Sequence, residues 1–126
     1  MQKTFLSKQA KEFRYKYGIQ NSPVRKATSY QKNLIVEEYA EFIEADGMLY
    51  RDNDQFRVET LKELADLVYV CYQYAENMGW SLDEALDRVH KSNMSKLGED
   101  GKPIYREDGK VLKGPNYKPP TLEDLF

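Results

Sequence analysis

The chain has 126 residues, 40 % hydrophobic and 32 % charged, with 19 basic against 21 acidic side chains and a net charge of −2. That size and balance describe one domain, and the absence of a broad basic field excludes a nucleic-acid polymer as the expected partner. No apolar run approaches the roughly 20 residues of a membrane span, and Lys3, Lys8 and Lys11 interrupt any N-terminal signal sequence, so a membrane partner is not expected. The single cysteine, Cys71, leaves no internal disulfide and reads as a buried apolar residue in a reducing, cytoplasmic compartment. The single histidine, His90, excludes sites that need several imidazoles, including His-rich zinc hydrolases and paired Glu-x-x-His di-iron bundles.

Taken in order, residues 4–17 read as a first helix. Leu6, Ala10, Phe13 and Tyr17 form one stripe, and Gly18 suits its end. A linker follows, with Ser22 held extended by Pro23. A second helix is expected to begin between Thr28 and Gln31, with Thr28 or Ser29 as its cap, and to run to about Ala45. Asp46-Gly47 ends it, and Asp52-Asn53-Asp54 tips the polar connection that follows. A third helix spans 55–78, with Leu61, Leu64, Ala65, Val68, Tyr72 and Ala75 as its core stripe and Gly79 as its stop. Ser81 and Glu84 form a capping box that starts a fourth helix, ending near Leu97-Gly98.

The C-terminal stretch, 98–126, changes character. Asp108-Gly109 lies between two short apolar-containing runs, a two-residue β-hairpin signal. An extended Pro- and Lys-containing tail then closes on a cap-like Thr121-Leu122-Glu123-Asp124, long enough only for a turn. The expected fold is therefore an all-α bundle of about four helices with a short C-terminal β-hairpin and extended tail, in a single domain over 1–126. Ten tyrosines, five phenylalanines and a tryptophan exceed what one small core absorbs, so the third helix is expected to pack against a second copy.

The chemistry-bearing residues are acids on the second and third helices. Glu38 and Glu41, like Glu63 and Asp66, stand at i, i+3, roughly 60° apart around a helix axis and one turn apart along it. If the two helices pack antiparallel, the four carboxylates converge. Their repulsion and desolvation cost call for a hard divalent cation. The bland alternative is a solvated acidic face, and Glu44 and Asp46 continue the first run in that manner. Asp66 fits the bland reading less well. It is the only charge between Glu63 and Glu76 in an apolar stretch, where burial demands a metal or a partner, such as Lys62 reaching along the i, i+4 edge.

Glu37-Glu38-x-x-Glu41 followed, after a spacer, by Glu63-x-x-Asp66 resembles the motif of the MazG-like all-α nucleoside triphosphate pyrophosphohydrolases. Asn93-Met94-Ser95-Lys96 resembles that family's Asn/Lys segment. The tail Lys113-Gly114-Pro115-Asn116-Tyr117 is similar to that of its small bacteriophage-type members. The resemblance implies hydrolysis of a nucleoside triphosphate to monophosphate and pyrophosphate with Mg²⁺, or Mn²⁺ in its place. It implies that Glu38, Glu41, Glu63 and Asp66 hold the metal, and that Glu37 holds a second ion or orients the attacking water. Asn93 and Lys96 would then meet the nucleotide and its phosphates. It further implies a homodimer or homotetramer in a cytoplasm, that of a host cell for a phage protein. Two alternatives stay open: a phosphoribosyl-ATP pyrophosphohydrolase, and a non-catalytic helical oligomerisation module whose acids bind a cation. Asn93 and Lys96 also read as ordinary polar residues near a helix end. Lys102, Lys110, Lys113 and Lys118 read as solubility charges or as a lid over a triphosphate.

Overall fold

The computed structural model describes residues 5–51 and 54–126. Thr4, Asp52 and Asn53, which figure in the expected first helix and loop tip, lie outside the described residues. Among the described residues the helices are α1 (Phe5–Lys16), α2 (Arg25–Gly47), α3 (Gln55–Met78) and α4 (Leu82–Met94), followed by one 3₁₀ turn, Glu123–Leu125. The fold is all-α. The chain divides into two compact units, Met1–Trp80 and Ser81–Phe126.

In the first unit, α2 and α3 form an antiparallel pair, and α1 packs on α3. The hairpin connection is short, and Thr60 near the start of α3 donates its hydroxyl to Ala45 O near the end of α2 at 3.2 Å. The helix α3 has the expected bounds because its stop is chemical. Gly79 takes φ +76°, a left-handed conformation, and Trp80 N then closes on Ala75 O at 2.9 Å. The start of α2 differs from expectation. It begins at Arg25, and Thr28 does not cap it. Val24 holds the extended entry after Pro23, and the Thr28 hydroxyl donates back to Val24 O at 2.6 Å. A threonine four residues into a helix makes this back-bond as readily as a cap.

The α1–α3 contact is largely polar. Arg14, only 3 % exposed, donates to Asn21 Oδ1 at 2.6 Å, Gln73 Oε1 at 3.2 Å and Asn77 Oδ1 at 3.0 Å. Asn77 in turn exchanges hydrogen bonds with the Ser22 backbone, which ties the linker onto α3. Lys11 reaches Glu76 at 2.6 Å. Among the described apolar residues, Ala10, Tyr72 and Ala75 are buried. The expected α3 stripe therefore splits. Its C-terminal half is core, while Leu61, Leu64 and Val68 are exposed.

In the second unit, Ser81 caps α4 by accepting Glu84 N at 3.3 Å, as the capping box requires. The helix stops at Met94, earlier than expected. Lys96 and Leu97 bond three residues back, to Asn93 O and Met94 O, and these tighter turns end the α-ladder. The tail returns along α4. Gly114 N meets Lys96 O at 2.8 Å, Lys118 N meets Ser95 Oγ at 2.9 Å, and Arg88 holds Thr121 O and the Asp124 carboxylate.

The β-hairpin expected here is corrected. No strand forms among the described residues, and a single antiparallel bridge, Tyr105 to Val111, stands in its place. The turn spans three residues rather than two. Arg106 N bonds Lys110 O at 2.8 Å around Glu107, Asp108 and a left-handed Gly109. The flanking segments turn away after one bridge, at Gly101 on one side and towards Gly114 on the other.

Candidate metal centre

The i, i+3 spacing on α2 puts Glu38 and Glu41 on the side that faces α3, and the antiparallel pairing brings Glu63 opposite them. One carboxylate oxygen from each of Glu38, Glu41 and Glu63 lies within 4.8 Å of the others. Such crowding shifts titration. Burial pushes the Glu38 carboxyl up from 4.5 to about 7, reinforced by a hydrogen bond with Glu41 and by the charges of Glu41, Asp66 and Glu63.

Asp66 is half-buried on α3, one turn beyond Glu63. Its carboxylate meets Lys62 Nζ at 2.9 Å across i, i+4, and Lys62 also reaches Glu63 at 3.3 Å. Both acids hold the Lys62 ammonium well above its ordinary range. Lysine thus occupies the edge of the site that the sequence left open between metal and partner. Glu37 is exposed and stands outside the converging three. Asn93 is exposed in the last turn of α4, Lys96 is half-buried just beyond it, and His90 is exposed; all three belong to the second unit.

Two further acids stand beside the cluster: Glu44, expected from the sequence only as part of a solvated face, and Glu59, which the sequence reading did not single out. Glu44 and Glu59 join Glu41 and Glu63 along a groove floored by Phe56 and Met48, an open cavity of about 400 Å³. Their signal was periodic: Glu44 is three residues after Glu41, and Glu59 four before Glu63.

The donor set suits a hard divalent cation. Three carboxylates supply oxygen ligands only, and Glu38 Oε2 and Glu63 Oε2 are buried with no hydrogen-bond partner. Buried carboxylate oxygens left in this way are costly unless an ion meets them. No helix among the described residues is long and apolar enough to cross a membrane.

A search of curated proteins finds no significant match to the chain. The phosphoribosyl-ATP pyrophosphohydrolase (PRA-PH) family matches residues 4–93, which include α1 to α3 and nearly all of α4. Enzymes of this family are typically dependent on a divalent metal, in keeping with the three carboxylates. The non-catalytic module reading therefore gives way. The chain belongs to the PRA-PH family within the MazG-like all-α pyrophosphohydrolases, and it is a nucleotide pyrophosphohydrolase, an enzyme that cleaves phosphoric anhydride bonds.

Proposed function

We propose that the protein hydrolyses a nucleoside triphosphate to the monophosphate and pyrophosphate with Mg²⁺, and that Mn²⁺ can replace it. The observation that carries this reading is the convergence of Glu38, Glu41 and Glu63, with Glu38 Oε2 and Glu63 Oε2 buried and unpartnered. These three, with Asp66 once Lys62 yields it, would hold the ion. When bound, the ion neutralises the triphosphate and polarises its phosphoryl oxygens. Glu37 is the exposed neighbour of the cluster, free to orient a water and accept its proton. The water oxygen bonds to phosphorus and the α–β bridging P–O bond breaks, with pyrophosphate leaving on attack at the α phosphorus and the monophosphate leaving on attack at the β phosphorus. Attack at either the α or the β phosphorus yields the same two products. Asn93 and Lys96 would meet the nucleotide, the lysine as a point charge on phosphate.

A second reading, phosphoribosyl-ATP as substrate, draws support from the family match itself. Kinship with the small bacteriophage-type members rests on the tail 113–117, and we treat 1–126 as one pyrophosphohydrolase domain. We also propose a homodimer or homotetramer working in a cytoplasm, host cytoplasm for a phage protein. Val36, Tyr39 and Ile43 on α2, and Leu61, Leu64 and Val68 on α3, support assembly as exposed apolar stripes.

The test is a panel of ribo- and deoxyribonucleoside triphosphates and phosphoribosyl-ATP, scored for pyrophosphate with Mg²⁺, Mn²⁺ or EDTA. Hydrolysis should vanish with EDTA. It should fall at least about a hundredfold in Glu38→Gln, Glu41→Gln, Glu63→Gln and Asp66→Asn, each of which should keep a native circular dichroism spectrum. Full activity of Asp66→Asn would remove it from the ligand set, and activity in EDTA would defeat the metal reading.

A further inference from the structure

Glu63 divides its carboxylate between the inside and the rim of the metal centre. Its Oε2 is buried with no hydrogen-bond partner, and its Oε1 accepts from Lys62 Nζ at 3.3 Å. The same ammonium meets Asp66 Oδ2 at 2.9 Å. The Lys62 side chain is 61 % exposed against 13 % for Glu63, so the ammonium stands where solvent reaches the acids. Among the described residues it is the only basic group in an ion pair with Glu38, Glu41, Glu63 or Asp66. An ammonium has three donors and no acceptor. Glu63 and Asp66 take two, and the third has no partner among the described residues. As a staple for the helix the arrangement is poor. The i, i+4 pairs that stabilise helices best have the acid before the base, and here the lysine comes first.

We propose that Lys62 binds the phosphate chain of the substrate, its third donor meeting a non-bridging phosphate oxygen while Glu63 Oε1 holds the ammonium in place. The proposal rests on the pyrophosphohydrolase reading and adds a phosphate contact on α3 to it. Charge supports it. Four carboxylates repel an arriving polyanion, and a cation fixed at their rim offsets part of that repulsion. Chemistry supports it as well, since lysine serves phosphate as a point charge. As the anhydride bond breaks, charge grows on the phosphate oxygens, and an ammonium already held in position stabilises it without reorganising. The donor now on Asp66 also becomes free for phosphate once that acid serves the ion. Position requires no other element: Lys62 adjoins Glu63 on α3, whereas Lys96 belongs to the second unit.

The test titrates the full chain calorimetrically with methylenediphosphonate, a pyrophosphate analogue that resists hydrolysis, at Mg²⁺ concentrations that saturate the thermal shift. Lys62→Met removes the charge and keeps the reach, and Lys62→Arg keeps the charge. Lys62→Met should weaken analogue binding at least about tenfold and lower kcat/KM for the triphosphate hydrolysed fastest by a similar factor. Lys62→Arg should recover most of both. The Mg²⁺-induced thermal shift of Lys62→Met should be no smaller than that of the native chain. Unchanged analogue affinity and kcat/KM in Lys62→Met would overturn the proposal and leave the lysine a neutraliser of acids. A Mg²⁺ shift lost together with analogue binding would overturn it too, because the lysine would then act by holding the metal ligands. So would a native chain that binds no analogue. Analogue binding that Lys62→Met abolishes, in a native chain that hydrolyses neither a triphosphate nor phosphoribosyl-ATP, would defeat the enzymatic reading and leave the phosphate contact standing.

Discussion

Glu38 is the residue at which crowding becomes measurable. A carboxyl held above its ordinary 4.5, at about 7, binds its proton more tightly in the folded chain than in the unfolded one. Its contribution to stability is complete below 4.5 and is lost as pH rises through about 7. In EDTA, the melting temperature should therefore fall between those two values, and Glu38→Gln should flatten that slope. Asp124 and Asp108 act in the opposite sense and in another window. Arg88 and Arg106 hold them below the ordinary 3.8, so their contribution is lost only as pH falls beneath that value. A cation competes with the Glu38 proton, so the Mg²⁺-induced rise in melting temperature should grow across the same interval. A pH-independent Mg²⁺ effect would count against Glu38 as a ligand. Lys62 makes a second prediction at this scale. It neutralises Glu63 and Asp66, and a bound cation must share them with it or displace it. Lys62→Met should lower the metal-free melting temperature and enlarge the Mg²⁺ shift. A smaller shift would mean that lysine and metal do not compete.

At the scale of elements, the return of the tail along α4 depends on one glycine. A Cβ at Gly114 would lie 2.4 Å from Leu97 O and 2.7 Å from Lys96 O, both backbone atoms that cannot swing aside. Gly114→Ala should cost about 1–3 kcal/mol as an overpacked contact. Hydrogen exchange should show the Gly114 amide, bonded to Lys96 O, losing protection while α2 and α3 keep theirs. Equal loss of protection everywhere would show that the tail contact is not local. Elements were legible where a single residue decides them. Gly79 stops α3 and Ser81 starts α4, because a left-handed turn and a side-chain cap are local chemistry. They were illegible where one residue has two uses. Thr28 looked like a cap and is a back-bonded helical residue, and Asp108-Gly109 looked like a two-residue turn and is the end of a three-residue one.

For the whole molecule, the exposed stripes on α2 and α3 set the next expectation. Val36 and Leu61 are 59 % and 68 % exposed on helices that otherwise pack together. Contiguous apolar faces of this kind mark interfaces. Sedimentation at micromolar concentration should give a dimer or tetramer, and Val36→Glu with Leu61→Glu should shift it towards the 14.8 kDa protomer. A native chain that sediments as the protomer at full activity would refute assembly as a requirement. Metal should register globally as well. Binding only to the folded state stabilises it by about 2.7 kcal/mol at a hundredfold excess over Kd.

What the sequence determined by itself was local and periodic: four helices, the ends of α3, the cap of α4, and the acids at i, i+3 that point one way because a helix turns every 3.6 residues. The motif these acids compose resembles that of the MazG-like pyrophosphohydrolases, and that resemblance implied the class. Tertiary structure decided what depends on distance between elements. It selected Glu38, Glu41 and Glu63 as the converging three, set Lys62 against Asp66, and ended the expected hairpin after one bridge. It also split the α3 stripe into a buried half and an exposed half, and left Gln73 Nε2 buried without a hydrogen-bond partner. Periodicity records which residues share a face. Only the packing of α1 and α2 against α3 records what that face meets, and orphaned atoms arise from that meeting.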